Sequence, residues 1–199
     1  MFSDPLTLLL FLPALMIAIS VHEFAHALIA DRLGDPTPSL QGRLTLNPLK
    51  HLDPIGTLML LFFRFGWGKP VEFDPYNLRH PRRDTALISL AGPASNLLVA
   101  GILSIIMKLA GIYWLSLVFF PIILISINLA IFNLLPIPPL DGAKILYGIL
   151  PRDWADEYNG FMNSYGTILL ILLIIPIGGS SLAINLILPV INVITKLLL

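Results

Sequence analysis

The sequence predicts an all-α polytopic membrane protein of about five transmembrane helices, with a short re-entrant segment and small β elements. Three observations carry that expectation. Of 199 residues, 56% are hydrophobic and 12% charged, and the mean hydropathy is +0.86, whereas a soluble globular chain carries about 25% charged residues. The charges are gathered into a few polar stretches, leaving uncharged runs of bilayer-crossing length. The basic residues, once those runs are threaded through a membrane, collect on one side. The net charge is zero, so nothing points to a nucleic-acid partner. There are no cysteines, which excludes disulfides and Cys-ligated zinc.

Taken in order, residues 5–22 carry no Asp, Glu, Lys or Arg and form the first span. The helix is expected to continue to Asp31, where Gly34, Pro36 and Pro38 stop it. Met1 to Ser20 lacks the basic start of a secretory signal, so this span is read as retained. Residues 35–53 are polar, and Gly42–Leu46 reads as a short strand. Residues 54–63 are uncharged but only ten long, against the roughly 20 a spanning helix needs. They are read as a non-helical re-entrant dip, a structure tolerated only where protein or water covers it. Residues 85–107 give 23 uncharged residues, about 34 Å of helix, and Gly111–Leu135 gives a third full span. Pro136, Pro138 and Pro139 then forbid a regular helix. Residues 158–195 are long enough for two passes, broken at Pro176–Ser180. With 54–63 re-entrant, eleven of the twelve basic residues share a side with Arg32 and Arg43, and only Lys108 lies opposite. The positive-inside rule makes the richer side cytoplasmic and places Met1 outside.

Within the first span stands His22-Glu23-Phe24-Ala25-His26. Ionisable groups at membrane depth are costly and mark a functional site by default. Positions i and i+4 share one helix face, so both imidazoles reach one metal ion, while Glu23 projects beside them as a general base. This is the pattern of a zinc hydrolase. Catalytic zinc takes three protein ligands. Asp141 is the only carboxylate between Asp84 and Asp153, and the predicted topology puts it in the same layer as His22. A helix-capping Asp after a Pro-rich turn is the local alternative.

At this point the chain resembles the site-2 protease family of intramembrane zinc metalloproteases. The resemblance rests on His22-Glu23-x-x-His26 within a span, Asn133-x-x-Pro136-x-Pro138-x-Leu140-Asp141-Gly142, Asn47-Pro48-x-x-His51-x-Asp53-x-x-Gly56, and Ala91-Gly92-Pro93-x-x-Asn96. It covers about residues 15–145. It implies that His22, His26 and Asp141 bind one Zn2+ and that Glu23 is the base. A single membrane-embedded metalloprotease domain over 1–199 is expected, with a catalytic core at about 5–150 and a C-terminal helical hairpin at about 158–197, a tail that matches the family only in hydrophobicity. With no room for a PDZ or CBS module, the chain is similar to the short, core-only members.

The chemistry expected is metal-assisted amide hydrolysis. Developing oxyanion charge needs a donor besides zinc. Asn133 is the first choice and His51 the second. An interhelical polar contact is the alternative for Asn133, and local turn bonding for Asn47, His51 and Asp53. Ala91, Gly92 and Ser95 read as a small-residue packing face, and Phe62, Phe63, Phe65 and Trp67 as an interfacial aromatic cluster. The expected substrate is a transmembrane segment with helix-breaking residues, held by strand addition at Gly42–Leu46 or Val71–Phe73. The lipid bilayer and a regulatory membrane protein are the other partners. The expected location is the plasma membrane, with the site toward the cytoplasmic side. The rival reading is a zinc-binding or transport membrane protein, or a catalytically inactive homologue. Glu23 argues against it, because a transport site needs ligands but no non-ligand carboxylate between them. Proteases that use a downstream Glu as third ligand are a second enzyme class, for which Glu72 and Glu157 are poorly placed in polar stretches.

Overall fold

The computed structural model describes residues 5–63, 66–177 and 179–199, with residues 5–8, 57, 60–63 and 177 described by backbone only. Helix accounts for 77% of the described residues. The order is α1 (Pro5–Leu33), α2 (Thr37–Leu40), α3 (Pro54–Phe63), α4 (Pro81–Ala110), α5 (Tyr113–Asn133), α6 (Asp141–Ile149), α7 (Arg152–Ile174), β1 (Pro176–Ile177), β2 (Ser180–Ser181) and α8 (Leu182–Leu198). Short 3-10 turns lie at Pro48–Lys50 and Pro75–Asn77. Among the described residues, three helices are long and apolar enough to cross a membrane: Leu9–Leu33, Pro81–Ala110 and Tyr113–Asn133. The chain is a mostly helical membrane protein.

α4 is the central helix and packs against α1, α5 and α6. Close approach to α1 is possible because α1 offers Ala14, Ala18, Ala27 and Ala30, all buried. Small residues let helix backbones approach where no hydrophobic drive separates protein from lipid. Asn96, fully buried, donates from Nδ2 to the Ala18 carbonyl at 3.3 Å and ties the two helices. On the other flank of α4, Ala100 packs with Ile123, Ile127 and Ile131 of α5 and Ile191 of α8. Pro13, Pro93, Pro121 and Pro189 all lie inside helices, which membrane helices tolerate where neighbouring groups take up the freed carbonyls.

α1 ends at Leu33. Gly34 takes φ +109°, and the buried Asp35 collects donors from Thr37, Asp74 and Asn77. The Pro-rich stop and the two polar segments around it therefore meet on one carboxylate.

Three local expectations are corrected. Residues 54–63 form an α-helix, not a non-helical dip; Pro54 opens it with its φ already helical, and Asp53 Oδ1 accepts the Gly56 N–H at 2.7 Å. Gly42–Leu46 is not a strand. Gly42 takes φ +67°, and the next donors are spent in turns, Arg43 N–H on the Pro38 carbonyl and Thr45 N–H on the Arg43 carbonyl. Val71–Phe73 is not a strand among the described residues, and the Val71 N–H goes to a side chain. The β structure outside β1–β2 is one antiparallel bridge among the described residues, Leu52 with Gly68. The side chains of Phe62, Phe63 and Phe65 lie outside the described residues; Trp67, the fourth of that aromatic group, is exposed.

Candidate active site

His22 and His26 stand one turn apart on α1, with ring centroids 4.6 Å apart. They are 4% and 7% exposed. Asp141 is the first residue of α6. Its Oδ2 lies 3.0 Å from His22 Nε2 and 3.2 Å from His26 Nε2, and its side chain is 13% exposed. Chain positions 119 apart thus meet at one point.

Two glycines make this convergence possible. Gly142 sits under the end of α5: a Cβ there would fall 2.3 Å from the Leu134 carbonyl oxygen and 2.4 Å from that of Leu135. Only glycine lets the start of α6, and with it Asp141, come this close. Gly92 of α4 lies against the imidazoles, where a Cβ would fall 2.5 Å from His26 Nε2 and 2.6 Å from His22 Nε2. The space beside both ring nitrogens is the space of that missing methyl group.

The residues fit a metal ion. His26 Nδ1 lies 2.7 Å from the Ile88 carbonyl oxygen. A carbonyl only accepts, so Nδ1 carries the hydrogen and Nε2 keeps its lone pair. Fixing the tautomer through the far nitrogen is how proteins orient a metal-binding imidazole. His22 Nδ1 is buried with no hydrogen-bond partner among the described residues. The three ligand atoms lie within 4.8 Å of one another. Two nitrogens and one carboxylate oxygen match the donor set of a catalytic zinc site.

Glu23 lies beside the cluster. Its Oε2 accepts the Val71 N–H at 2.7 Å. A cleft of about 420 Å³ runs past it, lined on one side by Leu12, Leu15, Met16, Ile19, His22 and Glu23 of α1. Leu52, Gly56, Trp67 and Gly68 form a second side, and Leu129, Phe132, Asn133 and Leu140 the third. Asn133 reaches the cleft with Nδ2 donating to the Leu129 carbonyl at 2.9 Å, which engages one of its two N–H groups. His51 does not line the cleft. Its fully buried ring has Nε2 2.7 Å from the Thr45 carbonyl oxygen, and its own carbonyl accepts the Lys69 N–H at 2.8 Å. It knits the two polar segments together.

Sequence reasoning brought together His22, Glu23, His26, Asp141 and Asn133. It missed the Val71 amide and the Ile88 carbonyl. Both are backbone groups and carry no side-chain signature.

The model of peptidase family M50 matches residues 107–173, a stretch that contains Asp141. The chain is 39% identical over 187 residues to "Putative zinc metalloprotease YwhC" of Bacillus subtilis, covering 88% of this chain and 85% of that protein. It is 34% identical over 145 residues to "Putative zinc metalloprotease Rip2" of Mycolicibacterium smegmatis, covering 68% and 53% of the two chains. It is 43% identical over 96 residues to "Putative zinc metalloprotease MJ0611" of Methanocaldococcus jannaschii, covering 46% and 49%. The chain thus spans about half the length of the latter two relatives. No solved structure matches it significantly. With the Bacillus likeness sustained over most of both chains, and with a zinc-type donor set at its centre, the chain belongs to peptidase family M50, the site-2 protease family of zinc metalloproteases.

Proposed function

We propose that this zinc metalloprotease cuts peptide bonds within or near transmembrane segments of membrane proteins, as a component of regulated intramembrane proteolysis. The observation that carries the reading is the placement of the His22–His26–Asp141 cluster: it lies between α1 and α6, beside an apolar cleft that His22 and Glu23 line between spanning helices. His22, His26 and Asp141 are the metal ligands. A zinc ion held there would supply Lewis acidity to the scissile carbonyl and the attacking water. Glu23 is the base. With Oε2 held by Val71, Oε1 takes a proton from the water as its oxygen adds to the carbonyl carbon. Glu23 returns that proton to the amide nitrogen as the C–N bond breaks. The second N–H of Asn133 is the candidate donor to the oxyanion; its place in the cleft favours it over His51.

A closed helix hides its carbonyls in internal hydrogen bonds, so the substrate is a transmembrane segment with helix-breaking residues. In the topology we favour, α1, α4, α5, α7 and α8 cross the bilayer and α3 dips and returns. The site then faces the cytoplasmic side of the plasma membrane with the N-terminus outside. A regulatory membrane partner is part of this reading.

The test is zinc content and cleavage together, on the purified wild type and on Glu23→Gln. The substrate is a model membrane protein with a helix-destabilised span. The reading expects about one zinc in each form and cleavage by the wild type alone. Zinc without cleavage in both forms, across a substrate panel, would favour a metal-binding role. Absence of zinc from both would refute the mechanism at its first step.

A further inference from the structure

Arg43 is 5% exposed. Among the described residues, no carboxylate forms an ion pair with it. A buried guanidinium is costly unless its donors are satisfied. Here they are spent on backbone: Nη1 donates to the Lys50 carbonyl, and Nη2 to the Lys69 carbonyl and, at 2.9 Å, to the Pro70 carbonyl. Burial draws the guanidinium pKa down, and the charges of Glu23 and Glu72 offset part of that.

The Pro70 carbonyl and the Val71 N–H belong to one planar peptide unit and point in opposite directions. Arg43 holds the oxygen end, and Glu23 Oε2 takes the hydrogen end at 2.7 Å. Rotating that plane away from either partner loses the other. The preceding residue is pinned as well, since the Lys69 N–H donates to the His51 carbonyl at 2.8 Å. A cation on the carbonyl also polarises the N–H at the other end, which strengthens the hydrogen bond to the carboxylate.

We propose that Arg43 is a positioning residue for Glu23: it locks the Pro70–Val71 peptide so that the Val71 N–H holds the Glu23 carboxylate in the cleft. The proposal rests on the reading of Glu23 as the base. The planar fork of Arg reaches several carbonyls at once, and a lysine ammonium does not reproduce that geometry.

The experiment uses the full-length protein in detergent, with Arg43→Gln, Arg43→Lys and Glu23→Gln. Four quantities are measured: zinc content, kcat, KM and hydrogen–deuterium exchange at the Val71 amide. Both Arg43 variants are expected to keep about one zinc and a KM within roughly twofold of wild type. Their kcat falls by roughly 10- to 100-fold, the scale of a misplaced catalytic group, and the Val71 amide exchanges faster. Unchanged kcat overturns the proposal. So does a fall in kcat with Val71 exchange unaltered. Loss of zinc or of folding in both variants overturns it too, because Arg43 would then be structural. If Glu23→Gln cleaves as wild type does, the base reading has failed. If Glu23→Gln is inert while both Arg43 variants are fully active, only the positioning proposal has failed.

Discussion

Gly92 of α4 and His26 of α1 approach so closely that a Cβ on the glycine would lie 2.5 Å from the imidazole Nε2. The helix that buries the cluster is thus also its lid, and its fit depends on a side chain that is not there. Sequence reading placed Gly92 on a packing face, and the packing proves to be against the ligand atoms themselves.

Gly92→Ala should therefore separate stability from metal binding. In a helix interior, alanine is ordinarily favoured over glycine by roughly 0.5–1 kcal/mol. The added methyl group nevertheless occupies the space beside both Nε2 atoms. We expect zinc affinity to fall by about 10- to 100-fold, the scale seen when groups around a metal site are perturbed, with helical content retained. Zinc titration alongside circular dichroism checks this. Wild-type affinity in Gly92→Ala would mean that the imidazoles turn aside freely.

Asn133 offers a test of oxyanion stabilisation. One N–H is engaged with the Leu129 carbonyl, and its amide borders the cleft beside His22 and Glu23. Asn133→Ala should lower kcat by about 10²-fold, the loss typical of one oxyanion donor, with zinc content and KM little changed. If only thermal stability falls, Asn133 is a helix contact and the developing charge is met elsewhere.

Asp35 makes the stability of the fold depend on pH. Burial alone would push its carboxyl up, but hydrogen bonds from Thr37, Asn77 and Asp74 bring it below the ordinary carboxylate range. Because the folded pKa lies below the unfolded value of about 3.9, the stabilisation is fully present above that value. It is lost as pH falls through the folded pKa. Asp35→Asn should cost about 1–3 kcal/mol near neutrality, the scale of disrupted buried hydrogen bonds to a charged group, and progressively less as pH falls below the unfolded value and through the folded pKa. Thermal unfolding in detergent across that range measures it. A pH-independent cost would show that the acceptor geometry matters and the charge does not.

The chemistry was legible in the sequence wherever a side chain announced itself in an unfavourable setting. His22, Glu23 and His26 stand in an uncharged run, and Asp141 is the lone carboxylate after a Pro-rich break; both features follow from the expense of ions at membrane depth. Local conformation was less legible where periodicity was silent. Ten apolar residues from Pro54 to Phe63 suit a short buried helix as well as an irregular dip. Leu44 and Leu46 alternate as a strand does, but Gly42 has a left-handed backbone and Arg43 turns inward. Arg43 itself was counted as one cation among many on the cytoplasmic side. Nothing in its neighbours marks it as buried, since its partners are the carbonyls of residues 50, 69 and 70.

One helix carries two duties. α1 supplies His22, Glu23 and His26, and the same helix supplies the Leu12, Leu15, Met16 and Ile19 wall of the cleft. Its opposite side is sealed to α4 through Ala14, Ala18 and Asn96. Swinging α1 outward to admit a polypeptide would pull both imidazoles off Asp141 and dismantle the centre it was opening. In the proposed function, a route that leaves the centre intact would use the two walls that carry none of those three α1 residues: the α3 side, held together internally by the Leu52–Gly68 bridge and the contact of Gly56 with the Trp67 backbone, and the α5 side with Leu129 and Phe132.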